Sequence, residues 1–309
     1  MQTITLNVGD LDKWVEPPRI AGSVRPLADF ADEIIDLLQT GPTKRGSPLP
    51  WAKTVDLFRL RPHELTILAG ENGSWKSTVL SQILLDLTMQ GASTLLVSLE
   101  MTVREVGLRL VRQACCSANP TPSAVRDFLN TTRDWLQILD VQGRLHAREV
   151  IALLRWAAIE REINYIAIDN LTKVISASND AIGEQQAFIS DAHGVALDTG
   201  AHIIIVAHVR KPAGDDKPGR YEIRGSSTIS DQADNVLMTW RNRAKEAARD
   251  DGDQSLNKEP DLILTVAKQR NGEFEGAIRL WAHRQSMQFV QDGVTAPIPY
   301  SFNRGGVQQ

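Results

Sequence analysis

Cysteine is scarce: only Cys115 and Cys116 occur among 309 residues, and they are adjacent. Neighbouring thiols cannot staple distant segments, and two of them do not make a four-ligand metal site. They read as two small apolar residues on a helix. Long apolar runs are also lacking. No stretch reaches the roughly 18 residues of a membrane span. The start, MQTITLNVGDLDKW, has neither the basic end nor the apolar centre of a secretory signal. A reducing, cytoplasmic setting is expected, with no membrane partner. Net basic charge is missing too, the sum being −4 at pH 7. Any nucleic-acid contact must then be a local patch, or a channel formed by assembly.

What is present is ordinary for a soluble globular chain, with 42% hydrophobic and 23% charged residues. The length fits one large domain plus a short extension. The expected division is an N-terminal arm and linker helix over 1–50, a main domain over 51–291 and a tail over 292–309. Residues 1–25 show no clear period. Leu27, Phe30, Ile34, Leu37 and Leu38 then recur at helical spacing, which predicts an amphipathic helix over about 27–38. The Gly/Pro-rich connector GPTKRGSPLP follows it. Such a helix needs a partner, either its own domain or a neighbouring subunit.

In the main domain, ELTILAG, STLLVSLE, YIAID and HIIIVAHV are short apolar runs typical of strands buried on both faces of a parallel sheet. Helical patterns cover 76–90 and roughly 103–117 and 146–162 between them. NVLMTW, DLILTVAKQR, AIRLWAHR and SMQFV close the chain as strands without intervening helices. The charged stretch 244–260 reads as an exposed hairpin loop. The expected fold is α/β, a mostly parallel sheet with late antiparallel strands.

Gly70-Glu71-Asn72-Gly73-Ser74-Trp75-Lys76-Ser77-Thr78 lies between the first of these strands and its helix. A phosphate-binding loop belongs there, because helix-start amides and a lysine converge on an anion. Gly70, Lys76 and Ser77 fit the pattern G-x-x-x-x-G-K-[ST], but Trp75 stands where the second glycine is expected. Either its side chain points outward and nucleotide still binds, or binding is weakened and the ATPase is degenerate. In the first reading Lys76 contacts the β- and γ-phosphates of ATP and Ser77 coordinates Mg²⁺. Asp169, ending YIAID, would hold the metal's water shell. Glu100 ends SLE, expected beside the phosphate-loop strand, where a carboxylate orients the attacking water. His208, after IIIVA, would sense the γ-phosphate.

Together these stretches resemble the RecA-like motor domain of DnaB-type and Twinkle-type replicative DNA helicases, including phage primase–helicases. The resemblance runs over about 26–290. It rests on LRPHELTILAGENGSWKST, SLEM, IAIDNLTKV, VAHVRK…EIRGSSTISDQADNVLMTWRN and AKQRNGEFEGAIRLW, in that order. Trp75 is the main departure. The family implies a ring, usually hexameric, with ATP between subunits in the cytoplasm of a bacterial or phage-infected cell. It makes Glu100 the catalytic carboxylate, Asp169 the metal-shell aspartate and His208 the sensor. Arg270 becomes an arginine finger for the neighbour's ATP, with Lys268 beside it, and the 27–38 helix docks on the adjacent subunit. Single-stranded DNA would meet loops facing the channel. One is 176–187, polar and flexible. The other is 210–225, carrying Arg210, Lys211, Lys217, Arg220 and Arg224. With no primase-like segment before the motor, a primase or loader is expected as a separate chain. The rival functions are a non-unwinding assembly ATPase of RecA or KaiC type, and a nucleotide-binding scaffold.

Overall fold

The apolar runs of the main domain become the strands of one sheet, flanked by helices on both faces. The computed structural model describes residues 6, 8–15, 25–41, 45–141, 145–175, 181–209 and 227–300. Helices α1 (Val8–Val15) and α2 (Ala31–Thr40) come first, followed by the small ribbon β1 (Ser47–Pro48) and β2 (Arg59–Leu60). The core then alternates: β3 (Leu65–Gly70), α3 (Lys76–Met89), β4 (Thr94–Ser98), α4 (Val103–Ala114), α5 (Pro122–Thr131), β5 (Leu136–Leu139), α6 (Ala147–Glu160), β6 (Tyr165–Asp169). After it come α7 (Leu171–Val174), α8 (Ala181–Thr199), β7 (His202–His208), α9 (Ser227–Gln232), β8 (Asn235–Arg241), α10 (Arg243–Asp250), β9 (Leu262–Gln269), β10 (Gly276–His283) and β11 (Gln288–Val290).

Among the described residues the main sheet runs β11-β10-β9-β8-β3-β7-β6-β4-β5. From β8 to β5 all pairs are parallel, while β8–β9, β9–β10 and β10–β11 are antiparallel. This is the expected α/β sheet with a late antiparallel end. Side-chain alternation along β3 splits the core in two. Leu65, Ile67 and Ala69 face α6 and α8, whereas Leu68 faces α3 and α4. Burial on both faces explains why every residue of β3, β4 and β6 is buried. Each Leu, Ile or Val buried in this way contributes on the order of 1.5–3 kcal/mol.

Several expectations are corrected. The strand carrying SLE is not beside the phosphate-loop strand: β7 and β6 lie between β4 and β3. Residues 8–15, without a legible period, form α1, whose Leu11 is buried against α6. The Arg155 guanidinium donates to Trp14 O (2.9 Å) and Val15 O (2.8 Å), closing the end of that helix. The supposed loop at 244–260 begins as α10, capped by Asn242 and anchored by Lys245, whose ammonium lies 3.0 Å from buried Asp261. A helix therefore does intervene between the late strands. Residues 181–187, read as flexible, are the first two turns of α8. The helix expected at 27–38 is a 3-10 turn (Leu27–Phe30) running into α2. In the tail, Tyr300 is buried in the core.

Candidate nucleotide site

β3 ends at Gly70, and the chain turns through Gly73 (φ 74°) and Trp75 (φ 65°) before α3 starts at Lys76. Gly70 has no room for a side chain: a Cβ there would sit 2.2 Å from Thr239 Oγ1. Ser74 holds the turn by donating to Glu71 O at 2.8 Å, with Thr239 Oγ1 also 2.8 Å away. From β8 and α10, Arg241 donates to Gly73 O and Arg243 to Asn72 O, both at 3.0 Å. Lys76 is buried and its ammonium bonds Gly70 O (3.0 Å) and Glu71 O (2.7 Å). Those carbonyls are neutral acceptors, which an anionic phosphate would displace.

Trp75 occupies a left-handed backbone conformation, which costs a non-glycine residue about 1 kcal/mol. Its indole leaves the loop sideways. The Arg241 guanidinium covers one face at 4.2 Å and the Phe289 ring lies 5.5 Å away, tilted by 53°. The indole thus forms a wall between two clefts, of 470 Å³ on the phosphate side and 380 Å³ on the Phe289 side.

The larger cleft gathers Asn72, Gly73, Ser74, Trp75, Lys76, Ser77, Thr78, Glu100, Asp169 and His208, nearly all of the residues expected at the nucleotide. They meet because β3, β4, β6 and β7 are parallel and deliver their C-terminal ends to one edge of the sheet. His208 stands opposite Gly70 in the register, and Ser98 opposite Asp169. Glu100 follows β4 by two residues, so the bend after the strand, not adjacency to β3, carries it into the cleft.

Burial is the main force raising the Asp169 carboxyl above the usual aspartate range, and nearby Glu100 adds to it. A hydrogen bond with Ser77, Arg109 and Lys76 act the other way. Such a group gains from a cation, so Ser77 and Asp169 are the residues that would hold Mg²⁺, which would supply charge neutralisation there. Five further residues line the cleft, among them Asn170, Arg109 and Arg241. Asn170 donates its amide to Glu100 Oε2 and to His208 Nε2 (3.1 Å), bridging the carboxylate and the imidazole. Arg109, on α4, and Arg241 line the same space. Sequence reading missed all three. Asn170 and Arg241 sit one residue beyond a recognised strand end, which is the signal that could have found them.

Arg270 and Lys268 lie elsewhere, at the end of β9. Lys268 donates to Ser230 O, Asp231 O and Ala233 O (3.0, 2.8 and 2.7 Å), closing the C-terminal end of α9. Arg270 pairs with Asp234 at 2.8 Å, with 49% of its side chain exposed. Neither reaches the phosphate cleft of its own chain. Arg210, Lys211, Lys217, Arg220 and Arg224 lie outside the described residues, as do 176–180. Among the described residues, no helix is long and apolar enough to cross a membrane.

Comparison with known proteins places the fold and the family. Over 157 residues, 50% of this chain, the sequence is 28% identical to the replicative DNA helicase DnaB of Treponema pallidum (strain Nichols). That match spans 32% of the relative's length. A solved ATPase domain superposes with a TM-score of 0.73 at 14% identity, covering 87% of this chain and 99% of that one. A solved DnaB-like replicative helicase, described with its interactions with primase, gives 0.66 at 16% identity, covering 87% and 67%. At these identities the likeness is one of fold, the RecA-type core of DnaB-like ATPase domains. The family of AAA domains matches residues 45–214, a segment that holds the phosphate loop, Glu100, Asp169 and His208, and the chain belongs to that family.

Proposed function

We propose that this chain is the ATP-hydrolysing motor of a ring-forming replicative DNA helicase, moving 5′ to 3′ on single-stranded DNA in the cytoplasm. The convergence of Lys76, Ser77, Glu100, Asp169 and His208 on one cleft carries the reading. Lys76 exchanges its loop carbonyls for β- and γ-phosphate oxygens, and the amides at the start of α3 face the same anion. Ser77 and Asp169 would hold Mg²⁺, which supplies charge neutralisation on the phosphates. Glu100 takes the proton of the attacking water, and His208 contacts the γ-phosphate.

Arg270 acts in trans, on the nucleotide of the next subunit. A finger supplied this way stabilises transition-state charge and is worth on the order of 10³–10⁵ in rate. Its distance from the cleft of its own chain and its half-exposed side chain support that assignment. In a hexamer, Arg210, Lys211, Lys217, Arg220 and Arg224 would line the channel and follow DNA phosphates without reading sequence. A primase or loader would be a partner. Strand displacement on a forked DNA substrate tests the proposal: ATP-dependent unwinding by the native chain, lost in Lys76→Ala, is expected. Hydrolysis without displacement would instead mark a non-unwinding assembly ATPase.

A further inference from the structure

We infer that Asp234 is the positioning residue for Arg270, holding its guanidinium in the pose from which it serves the neighbouring subunit. This rests on the reading of Arg270 as a finger in trans. Asp234 is 3% exposed, so its carboxylate is an organising centre and not a solvated surface charge. One oxygen, Oδ1, lies 2.8 Å from Arg270 Nη1. The other, Oδ2, accepts the Leu65 N–H at 2.9 Å and lies 2.9 Å from His193 Nε2 on α8. The backbones are tied as well: Arg270 N–H donates to Asp234 O at 3.0 Å, and Asp234 N–H donates to Leu65 O at 3.0 Å.

Arg270 is therefore clamped on one edge, while half of its side chain remains open to a partner. A guanidinium offers several N–H donors in a rigid fork, so an ion pair on one edge leaves others for a phosphate. Ordering the long side chain before the subunits meet also lowers the entropic cost of using it, as preorganisation does at any interface. Lys268, two residues earlier, has its ammonium turned onto three carbonyls of its own chain. Arg270 is thus the cation at this strand end that is both held and presented.

Mixed rings distinguish this positioning role from a purely internal one. Asp234→Asn keeps an oxygen for the Leu65 amide but loses the charge that clamps Arg270. Alone, it is expected to lose at least about tenfold in kcat, with KM and nucleotide affinity within about twofold and ring assembly intact. Lys76→Ala subunits have a dead site and an intact finger. Mixed in equal amounts with Asp234→Asn, they should restore turnover toward about a quarter of the native rate. That is the share of interfaces joining an intact site to an intact finger in a head-to-tail ring. Arg270→Ala mixed with Lys76→Ala is the control and should behave alike. If the control mixture recovers turnover and the Asp234→Asn mixture does not, Asp234 works within its own subunit and the inference fails. If neither recovers, the trans reading fails and takes the inference with it. Native turnover by Asp234→Asn alone would also overturn it. Asp234→Glu, which keeps the charge but displaces the clamp by a methylene, should show a milder loss complemented in the same way, and serves if the asparagine variant does not fold.

Discussion

At position 75 the chain places an indole on a left-handed backbone, and the neighbouring side chains show how that is tolerated. Arg241 covers one face of the ring and Phe289 packs near it, so stacking offsets the backbone strain. Trp75→Gly should relieve about 1 kcal/mol of strain and lose about 2 kcal/mol of packing. A modest fall in Tm is expected, with nucleotide affinity unchanged within about threefold by fluorescence titration; a large gain in turnover would mean that the indole obstructs the site. Asn170 makes a second prediction at this scale. Its amide joins Glu100 to His208, so Asn170→Ala should lower kcat by on the order of tenfold while leaving KM in place. An equal loss in nucleotide affinity would show that the residue serves binding instead. Gly70, Lys76, Ser77, Asp169 and His208 were legible because loop pattern and strand ends mark them. Asp234 was not, since its partners Leu65, His193 and Arg270 are distant in sequence, and Asn170 showed only as the residue after a strand end.

The elements were readable where burial leaves a strong pattern. Continuous apolar runs marked β3, β6 and β7, because strands covered on both faces have no polar side to show. Strand order was not readable: nothing in SLE records that two strands separate it from the phosphate loop. Helices α8 and α10 were misread for a different reason. The polar start of α8 and the charges of α10 hide helices that tertiary contacts stabilise, such as Lys245 beside Asp261. The amphipathic period of α2 was legible, and two of its apolar residues face outward, Ile35 49% and Leu38 78% exposed, as does Leu27 (76%) in the turn before it, while Ile34 and Leu37 are half-buried. Exposed apolar side chains on one short helix fit an element that docks on a neighbour. The double variant Ile35→Asp, Leu38→Asp should therefore shift the particle mass toward monomer without lowering the Tm of the protomer. An unchanged mass would remove α2 from the subunit contact.

For the whole molecule, the sheet ties stability to the site through buried polar groups. His202 is fully buried at the start of β7, donating from Nδ1 to Arg61 O at 2.6 Å and meeting Thr66 Oγ1 through Nε2 at 2.9 Å. Burial pushes its pKa down from 6.5 to about 4. The folded state thus prefers the neutral ring. Its contribution is complete above pH 6.5, declines as pH falls through about 4, and amounts to about 3 kcal/mol. Native protein should lose Tm more steeply over that window than His202→Asn does; parallel curves would mean that other groups govern acid unfolding.

A working motor hydrolyses ATP in this cleft despite Trp75 and is driven by its DNA track. The steady-state ATPase rate of the purified chain, measured with and without single-stranded DNA, tests this most directly. A measurable rate that rises several-fold with single-stranded DNA is expected. Bound nucleotide with no turnover under either condition would exclude a motor and leave a nucleotide-binding scaffold.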